Sequence, residues 1–116
     1  MEERTAQDMR AREEAHRELL QSELSRMVDE LREIGATRLI VFGSTASGKT
    51  NLFSDLDIIV VMPSDEPFVE RSASLYQTLN PKVDADILAY TPEEFSKMEE
   101  DSLFIQTALA DGKELL

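Results

Sequence analysis

The sequence contains no cysteine, a single histidine and no long apolar run. Without cysteine the chain can form neither a disulfide nor a thiolate metal site, and a cytoplasmic location is the default expectation. The histidine, His16, has no evident partner in sequence, so we expect no functional role for it. No stretch approaches the ~20 apolar residues of a membrane span. Charged residues begin at Glu2, so we also expect no signal peptide.

Basic residues are scarce as well. Lys and Arg number 12 against 24 Asp and Glu, for a net charge of −12. No cluster of basic residues stands out in the sequence, so we expect the surface to repel nucleic acid, and direct nucleic-acid binding is disfavoured. Carboxylates suit Mg²⁺, and a metal ion could bridge such a surface to an anionic nucleotide.

With 116 residues, of which 41% are apolar, the chain has the size of one ordinary domain. Residues 1–17 alternate in charge sign and indicate a charged helical or frayed N-terminal extension, followed by a domain over 18–116. The domain opens on apolar residues at helical spacing that ends before Gly35, a residue typical of helix ends. These residues are Leu20, Leu24, Met27, Leu31 and Ile34.

Three runs are typical of β-strands, at 38–42, 57–62 and 83–90. A helical face over 68–79 separates the second run from the third. Thr91, Pro92 and Glu94 predict a helix start with a capping box, and a last helix follows at about 102–110. The order of elements predicts an α/β (α+β) fold, with a small mixed sheet of three or more strands flanked by helices.

Residues 43–57, which lie between the first two strands, carry two overlapping motifs. Gly43 to Thr50 fits the Walker A pattern G-x-x-x-x-G-K-[ST] in every letter. A phosphate-binding loop of that kind needs a sustained helix directly after it. Only Asn51-Leu52-Phe53 stand between Thr50 and the next polar residues, so we reject a P-loop here.

The second motif is Gly43-Ser44, ten residues, then Asp55-Leu56-Asp57. Asp55 and Asp57 are two apart on an emerging strand, so both carboxylates project from one face. The short connection favours antiparallel strands, which bring Gly43-Ser44 close to the acids. Glycine allows a phosphate to approach the backbone, and Ser44 offers a hydroxyl and an amide.

A third acid on the strand at 83–90 would complete a cluster around a metal. Asp84 and Asp86 lie on the same face of that strand, opposite Val83 and Ala85. Three carboxylates could hold two metal ions, which would stabilise the attacking and leaving oxygens of an in-line displacement.

The chain resembles the minimal nucleotidyltransferases (MNT type) of the DNA polymerase β superfamily over roughly residues 20–116. The pieces that carry this resemblance are Val41-Phe42-Gly43-Ser44, Gly48, Ser54-Asp55-Leu56-Asp57-Ile58, Val83-Asp84-Ala85-Asp86-Ile87, the segment 91–95 and the segment 111–116.

The resemblance implies a role for each matched residue. Gly43 and Ser44 would hold the triphosphate, and Asp55 and Asp57 would bind Mg²⁺. The third acid would bind the catalytic metal and assist deprotonation of the attacking hydroxyl. We prefer Asp86 over Asp84 for this role, because Asp86 stands closer to the helix start at Thr91. Relatives often carry basic residues just after Gly-Ser, which this sequence lacks.

Lys49 stands just past Gly48 and is a candidate substitute for those missing basic residues. As a contact to the triphosphate it would supply a positive charge, and as an ordinary loop lysine it would only be solvated. Both interpretations stay open on the sequence.

The resemblance also implies the reaction and the partners. The expected activity is the transfer of AMP from ATP to a hydroxyl, with the chain acting as the antitoxin of a toxin–antitoxin pair. The expected partner is a helical HEPN-type protein, and homo-oligomerisation is left open. The alternatives are a non-catalytic partner-binding module of the same fold and a subunit that modifies a small molecule.

Overall fold

The computed structural model describes residues 2–116, with side chains described from residue 5 onward. The chain folds into helices and strands in the following order: α1 Glu2–Glu33, β1 Arg38–Phe42, α2 Gly43–Ser47, β2 Leu56–Val61, α3 Phe68–Leu79, β3 Ala85–Tyr90, α4 Pro92–Asp101, α5 Leu103–Asp111 and β4 Lys113–Glu114. None of the helices within residues 2–116 is both long enough and apolar enough to cross a membrane.

The strands form one mixed sheet in the order β3-β2-β1-β4. β1 pairs antiparallel with β2 and with β4, whereas β2 and β3 run parallel. The helix α3 makes the crossover that a parallel pair requires. The mixed sheet flanked by helices confirms the predicted fold class, and the antiparallel pairing of the first two strands is confirmed with it.

The sheet has an apolar core on each of its faces, because alternate residues of a strand point to opposite sides. On one face, Leu56, Ile58 and Val60 of β2 pack against α1 and α3. On the other face, Ile59 and Val61 pack against α4 and α5. Asp57 belongs by this alternation to the face covered by α4 and α5.

The first helix is longer than the sequence pattern suggested. α1 continues without a break through residue 17, where we divided the extension from the domain. Its buried residues Leu20, Met27 and Leu31 lie at the predicted spacing, but Ile34 is exposed beyond the helix end. Thirty-two residues of helix span about 48 Å, so α1 accounts for most of the longest dimension of the molecule, 56 Å.

A buried carboxylate ties α1 to the turn that precedes β3. Glu23 is only 3% exposed. Its Oε1 accepts a hydrogen bond from the backbone N–H of Lys82 at 2.6 Å, and both of its oxygens accept from Arg26. Arg26 also donates to the carbonyl of Leu79 at 2.9 Å. The end of α3 and the start of the turn before β3 are therefore held by one ion pair of α1.

The predicted start of α4 is confirmed in detail. Thr91 caps the helix through its hydroxyl, Pro92 is the first helical residue, and Glu94 bonds back to the N–H of Thr91. Glu94 also accepts a hydrogen bond from the buried Arg71 of α3 at 2.7 Å. The third strand begins at Ala85, two residues later than predicted from the apolar pattern.

We predict that Glu23→Gln destabilises the protein in a pH-dependent manner. The hydrogen bonds from Arg26 lower the pKa of Glu23 from 4.5 to about 2. A lowered folded-state pKa contributes stability above pH 4.5 that is lost as the pH falls towards 2. At pH 7 we expect a cost of about 1–3 kcal/mol, because buried donors lose their acceptor.

Chemical denaturation of the unsubstituted protein and of Glu23→Gln between pH 7 and pH 2.5 measures the difference in their free energies of unfolding. Glu30→Gln is the matched control, since Glu30 bonds to the same arginine but is 39% exposed, and should cost less than about 1 kcal/mol. A loss for Glu23→Gln that is constant over this pH range would contradict the prediction.

Candidate active site

The end of β1 places a glycine against one of the predicted acids. Phe42, the last residue of β1, pairs with Asp57 of β2, and Gly43 follows with a φ of +73°. A Cβ atom added to Gly43 would collide with Oδ2 of Asp57. Glycine is therefore required here twice, by the left-handed backbone conformation and by the carboxylate beside it.

Asp57 and Asp86 are brought together by the parallel pairing of β2 and β3. The two residues are register partners, so their side chains leave neighbouring strands on the same face of the sheet. Burial raises the pKa of Asp57, and the negative charge of Asp86 and a hydrogen bond with its carboxyl raise it further. The charge of Asp55 adds a smaller contribution in the same direction.

The other two predicted acids lie just outside the strands. Asp55 precedes β2, is exposed, and its carbonyl accepts a hydrogen bond from the hydroxyl of Thr45 at 3.2 Å. Asp84 precedes β3 and is also exposed, while its carbonyl accepts from the N–H of Leu56. Asp84 has no part in the pKa shift of Asp57. The geometry thus favours Asp86 over Asp84 as the third acid of the cluster.

The Gly-Ser segment forms the short helix α2. Ser44 lies in its first turn, and its carbonyl accepts the backbone N–H of Lys49 at 3.1 Å. Gly48 ends the helix with a φ of +76°. The helix therefore occupies the first five residues of the Walker A pattern, and residues 49–55, which include the end of the pattern, are not helical. The element that a P-loop needs after its motif is absent from this described segment, which agrees with our rejection of that motif.

The loop after α2 is held by the first helix, which we did not foresee. Nε2 of His16 lies 2.9 Å from the carbonyl oxygen of Ser54, and Nε of Arg17 donates to the hydroxyl of Thr50 at 3.0 Å. The sequence shows no evident partner for His16, whereas the structure places its ring against the backbone of this loop. Its partner lies 38 residues away, and no local pattern in the sequence links the two.

Lys49 is exposed, and its side chain makes no hydrogen bond or ion pair with the described part of the chain. It is free to reach a ligand or to remain in solvent. The two interpretations of this residue given by the sequence therefore both stay open.

A cavity of about 340 Å³ lies against α2, between the end of β1 and α5. Its lining residues are Phe42, Gly43, Ser47, Phe104, Thr107, Ala108 and Asp111. The rings of Phe42 and Phe104 meet edge to face, with centroids 5.5 Å apart. Small-molecule sites begin at about this size. The lining by α5 was not foreseen, because nothing in the sequence of this helix indicates proximity to the Gly-Ser segment.

The acids fit a metal ion that is shared with a ligand. Within residues 2–116, no group of three or more acidic or histidine side chains is arranged to hold a metal by itself. Mg²⁺ commonly takes one or two carboxylates and completes its shell with water and substrate phosphates. Asp57 and Asp86 supply such a pair, and Asp55 adds negative charge close by.

We predict that Gly43→Ala and Gly48→Ala have different effects on the acids. Both glycines have a φ near +75°, so each substitution costs roughly 1–2 kcal/mol of backbone strain. Only the new methyl at position 43 displaces Asp57, since position 48 faces open space. Titration with Mn²⁺ should show binding weakened about tenfold or more by Gly43→Ala and little changed by Gly48→Ala. Equal losses would contradict the assignment.

We also predict that Asp57→Asn stabilises the metal-free protein at neutral pH. The folded-state pKa of Asp57 lies above its ordinary value of 3.8. Ionisation of this carboxyl therefore opposes folding as the pH rises through 3.8, and has no effect below it. Thermal unfolding should show a Tm raised by a few degrees at pH 7, with the difference vanishing near pH 3.

Asp84→Asn makes the same chemical change at an exposed acid and should leave the Tm at pH 7 unchanged. A fall in Tm for Asp57→Asn in the absence of metal would contradict the repulsion between the two acids. Added Mg²⁺ should raise the Tm of the unsubstituted protein but not that of Asp57→Asn, because binding to the folded state stabilises it.

Comparison with known families gives one match. Residues 24–79, just under half of the chain, match the family model described as Nucleotidyltransferase domain. The matched segment includes Gly43, Ser44, Asp55 and Asp57, and it ends before β3. Comparisons with curated proteins and with solved structures gave no significant match.

The match covers the segment that carries the Gly-Ser turn and the first two acids, and the mixed sheet agrees with a nucleotidyltransferase fold. Asp86 lies outside the matched segment, so its place in the site depends on the register of β3 alone. The chain is therefore similar to nucleotidyltransferase domains over residues 24–79, and its mixed sheet flanked by helices is consistent with their fold.

Proposed function

We propose that this protein is a Mg²⁺-dependent nucleotidyltransferase that moves AMP from ATP to a hydroxyl group. The observation that carries the proposal is the pairing of Asp57 with Asp86 near the strand ends where Gly43 lies against Asp57 of β2. Two carboxylates in contact are unfavourable on their own. A cation bound by both carboxylates and by a triphosphate would offset their repulsion.

In the proposed reaction the acceptor oxygen bonds to the first phosphorus of ATP, and the bond from that phosphorus to pyrophosphate breaks. Asp55 and Asp57 would hold the metal together with the third acid, Asp86, and the bound metal would neutralise charge on the phosphates. Asp86 would accept the proton of the attacking hydroxyl, and pyrophosphate would leave. The backbone at Gly43 and the hydroxyl of Ser44 would position the triphosphate. These contributions are positioning and electrostatics.

We further propose that the acceptor hydroxyl belongs to a partner protein. Large apolar side chains are exposed in the segments that adjoin site residues: Phe53, two residues before Asp55, is 89% accessible, and Leu103, next to Phe104 of the cavity lining, is 76% accessible. Exposed apolar groups of this size are typical of protein-binding surfaces when they form a patch. The resemblance to MNT-type proteins suggests a helical HEPN-type partner and an antitoxin role in the cytoplasm, and we include both in the proposal.

The second candidate is a partner-binding module of the same fold without catalysis. It is favoured by the composition of α2 after Gly43-Ser44, where Thr45, Ala46 and Ser47 provide no positive charge for a triphosphate. A nucleotidyltransferase subunit that modifies a small molecule is the remaining alternative for an active enzyme. The placement of Asp57 and Asp86 side by side on neighbouring strands favours the catalytic proposal over the module.

We predict that incubation with ATP labelled on the first phosphate, Mg²⁺ and the candidate partner transfers label to that partner. Asp57→Asn and Asp86→Asn should each lower the initial rate by about two orders of magnitude or more, because each removes a charge that acts in the transition state. Asp84→Asn should retain most of the activity. Gel separation of the labelled partner and release of pyrophosphate measure the same step independently.

Other outcomes point to the alternatives. A tight complex with no transferred label would support the non-catalytic module. Release of inorganic phosphate that is abolished by Lys49→Ala but indifferent to Asp57→Asn would instead support the P-loop interpretation and overturn the proposal. A modest rise in KM for ATP in Lys49→Ala, with kcat unchanged, would assign Lys49 to triphosphate binding.

A further inference from the structure

The strand that carries Asp86 lies at the edge of the sheet. β3 pairs with β2 and with no other strand described. The carbonyls of Asp84 and Tyr90 face β2, where they accept from Leu56 and Met62. Backbone groups of alternate residues point in opposite directions, so the groups of Ala85 and Ile87 face the open edge. These are the two residues on either side of Asp86.

One side chain supplies the missing partners of Ala85 and Ile87, while Arg71 donates to the carbonyl of Ala89 further along the same edge. The hydroxyl of Tyr76, on α3, donates to the carbonyl of Ala85 at 2.5 Å and accepts the N–H of Ile87 at 2.9 Å. A single phenol thus closes both bonds that a further strand would otherwise make at this point. It does so symmetrically about Asp86, whose own backbone groups face β2 by the same alternation.

We propose that Tyr76 is a positioning residue for the acid pair, and that its hydroxyl fixes the backbone at Asp86 so that the two carboxylates face each other. The proposal rests on the proposed function, in which Asp86 binds metal and accepts a proton. Asp86 lies on an edge strand beside a like charge, so the repulsion favours its displacement outward. The two bonds from Tyr76 oppose that displacement.

The aromatic ring of Tyr76 contributes packing that a phenylalanine would also provide. The residue is 37% exposed, so its ring contributes only part of its area to the core. Its hydroxyl is the group whose removal bears on Asp86, and Phe retains the ring. Tyr76→Phe therefore separates positioning from packing.

The experiment measures Mn²⁺ affinity in the absence of nucleotide, together with backbone amide hydrogen exchange. We expect Tyr76→Phe to weaken Mn²⁺ binding about tenfold, in the range known for groups that orient metal ligands. The amides of Asp86 and Ile87 should exchange at least about tenfold faster, because local opening of the strand becomes easier. The amides of β1 should keep their protection.

Tyr90→Phe is the matched control. It makes the same change on β3 itself, four residues beyond Asp86, at a side chain that stacks on Phe68. It should alter neither Mn²⁺ affinity nor exchange at Asp86. Equal effects of the two variants, or a uniform loss of protection across the sheet in Tyr76→Phe, would overturn the proposal.

The two proposals can fail separately. If the unsubstituted protein binds no Mn²⁺, the proposed function fails, and exchange at Asp86 and Ile87 alone then decides the role of Tyr76. If Mn²⁺ binds but Tyr76→Phe changes neither its affinity nor the exchange, the positioning role is wrong while the metal site stands. If Tyr76 acts through Asp86, the double variant Tyr76→Phe with Asp86→Asn should bind Mn²⁺ no more weakly than Asp86→Asn alone.

Discussion

The candidate site depends on the parallel register between β2 and β3, which sets Asp57 beside Asp86. A slip of one residue would turn one of the two side chains to the opposite face of the sheet. The register is secured by the apolar residues on both faces of these strands, since nearly every residue of β2 is buried. The hydrophobic core therefore provides the force that holds two repelling carboxylates together.

The supports of this register come from distant parts of the chain. Glu23 and Arg26 hold the turn before β3 from the side of α1, and Tyr76 holds the strand from the side of α3. His16 and Arg17 hold the loop that leads to Asp55. Apart from the bond from Arg17 to the hydroxyl of Thr50, these contacts join a helix to the backbone of a segment close to an acid. The chain thus uses its helices to fix the positions of residues on strand ends and loops.

Much of this arrangement was accessible from the sequence, because it depends on local patterns. Asp55 and Asp57 stand two apart at the start of a predicted strand, and the short connection from Gly43 favoured antiparallel strands, which the structure has. The capping box of Thr91 and Glu94 was predictable because the two residues are only three positions apart in sequence. What the sequence could not provide were contacts between distant segments. His16 with Ser54 and Tyr76 with β3 depend on tertiary packing that no spacing encodes.

The order of the acids along the chain has a consequence for how the site forms. Gly43, Asp55 and Asp57 lie at adjoining ends of two antiparallel strands with a short connection, whereas Asp86 lies on a strand that follows the crossover helix α3. Antiparallel neighbours close early and parallel pairs close late, because the intervening loop is longer. The approach of Gly43 to Asp57 therefore closes a shorter loop than the pairing of Asp57 with Asp86. The site is complete only when β3 is docked beside β2.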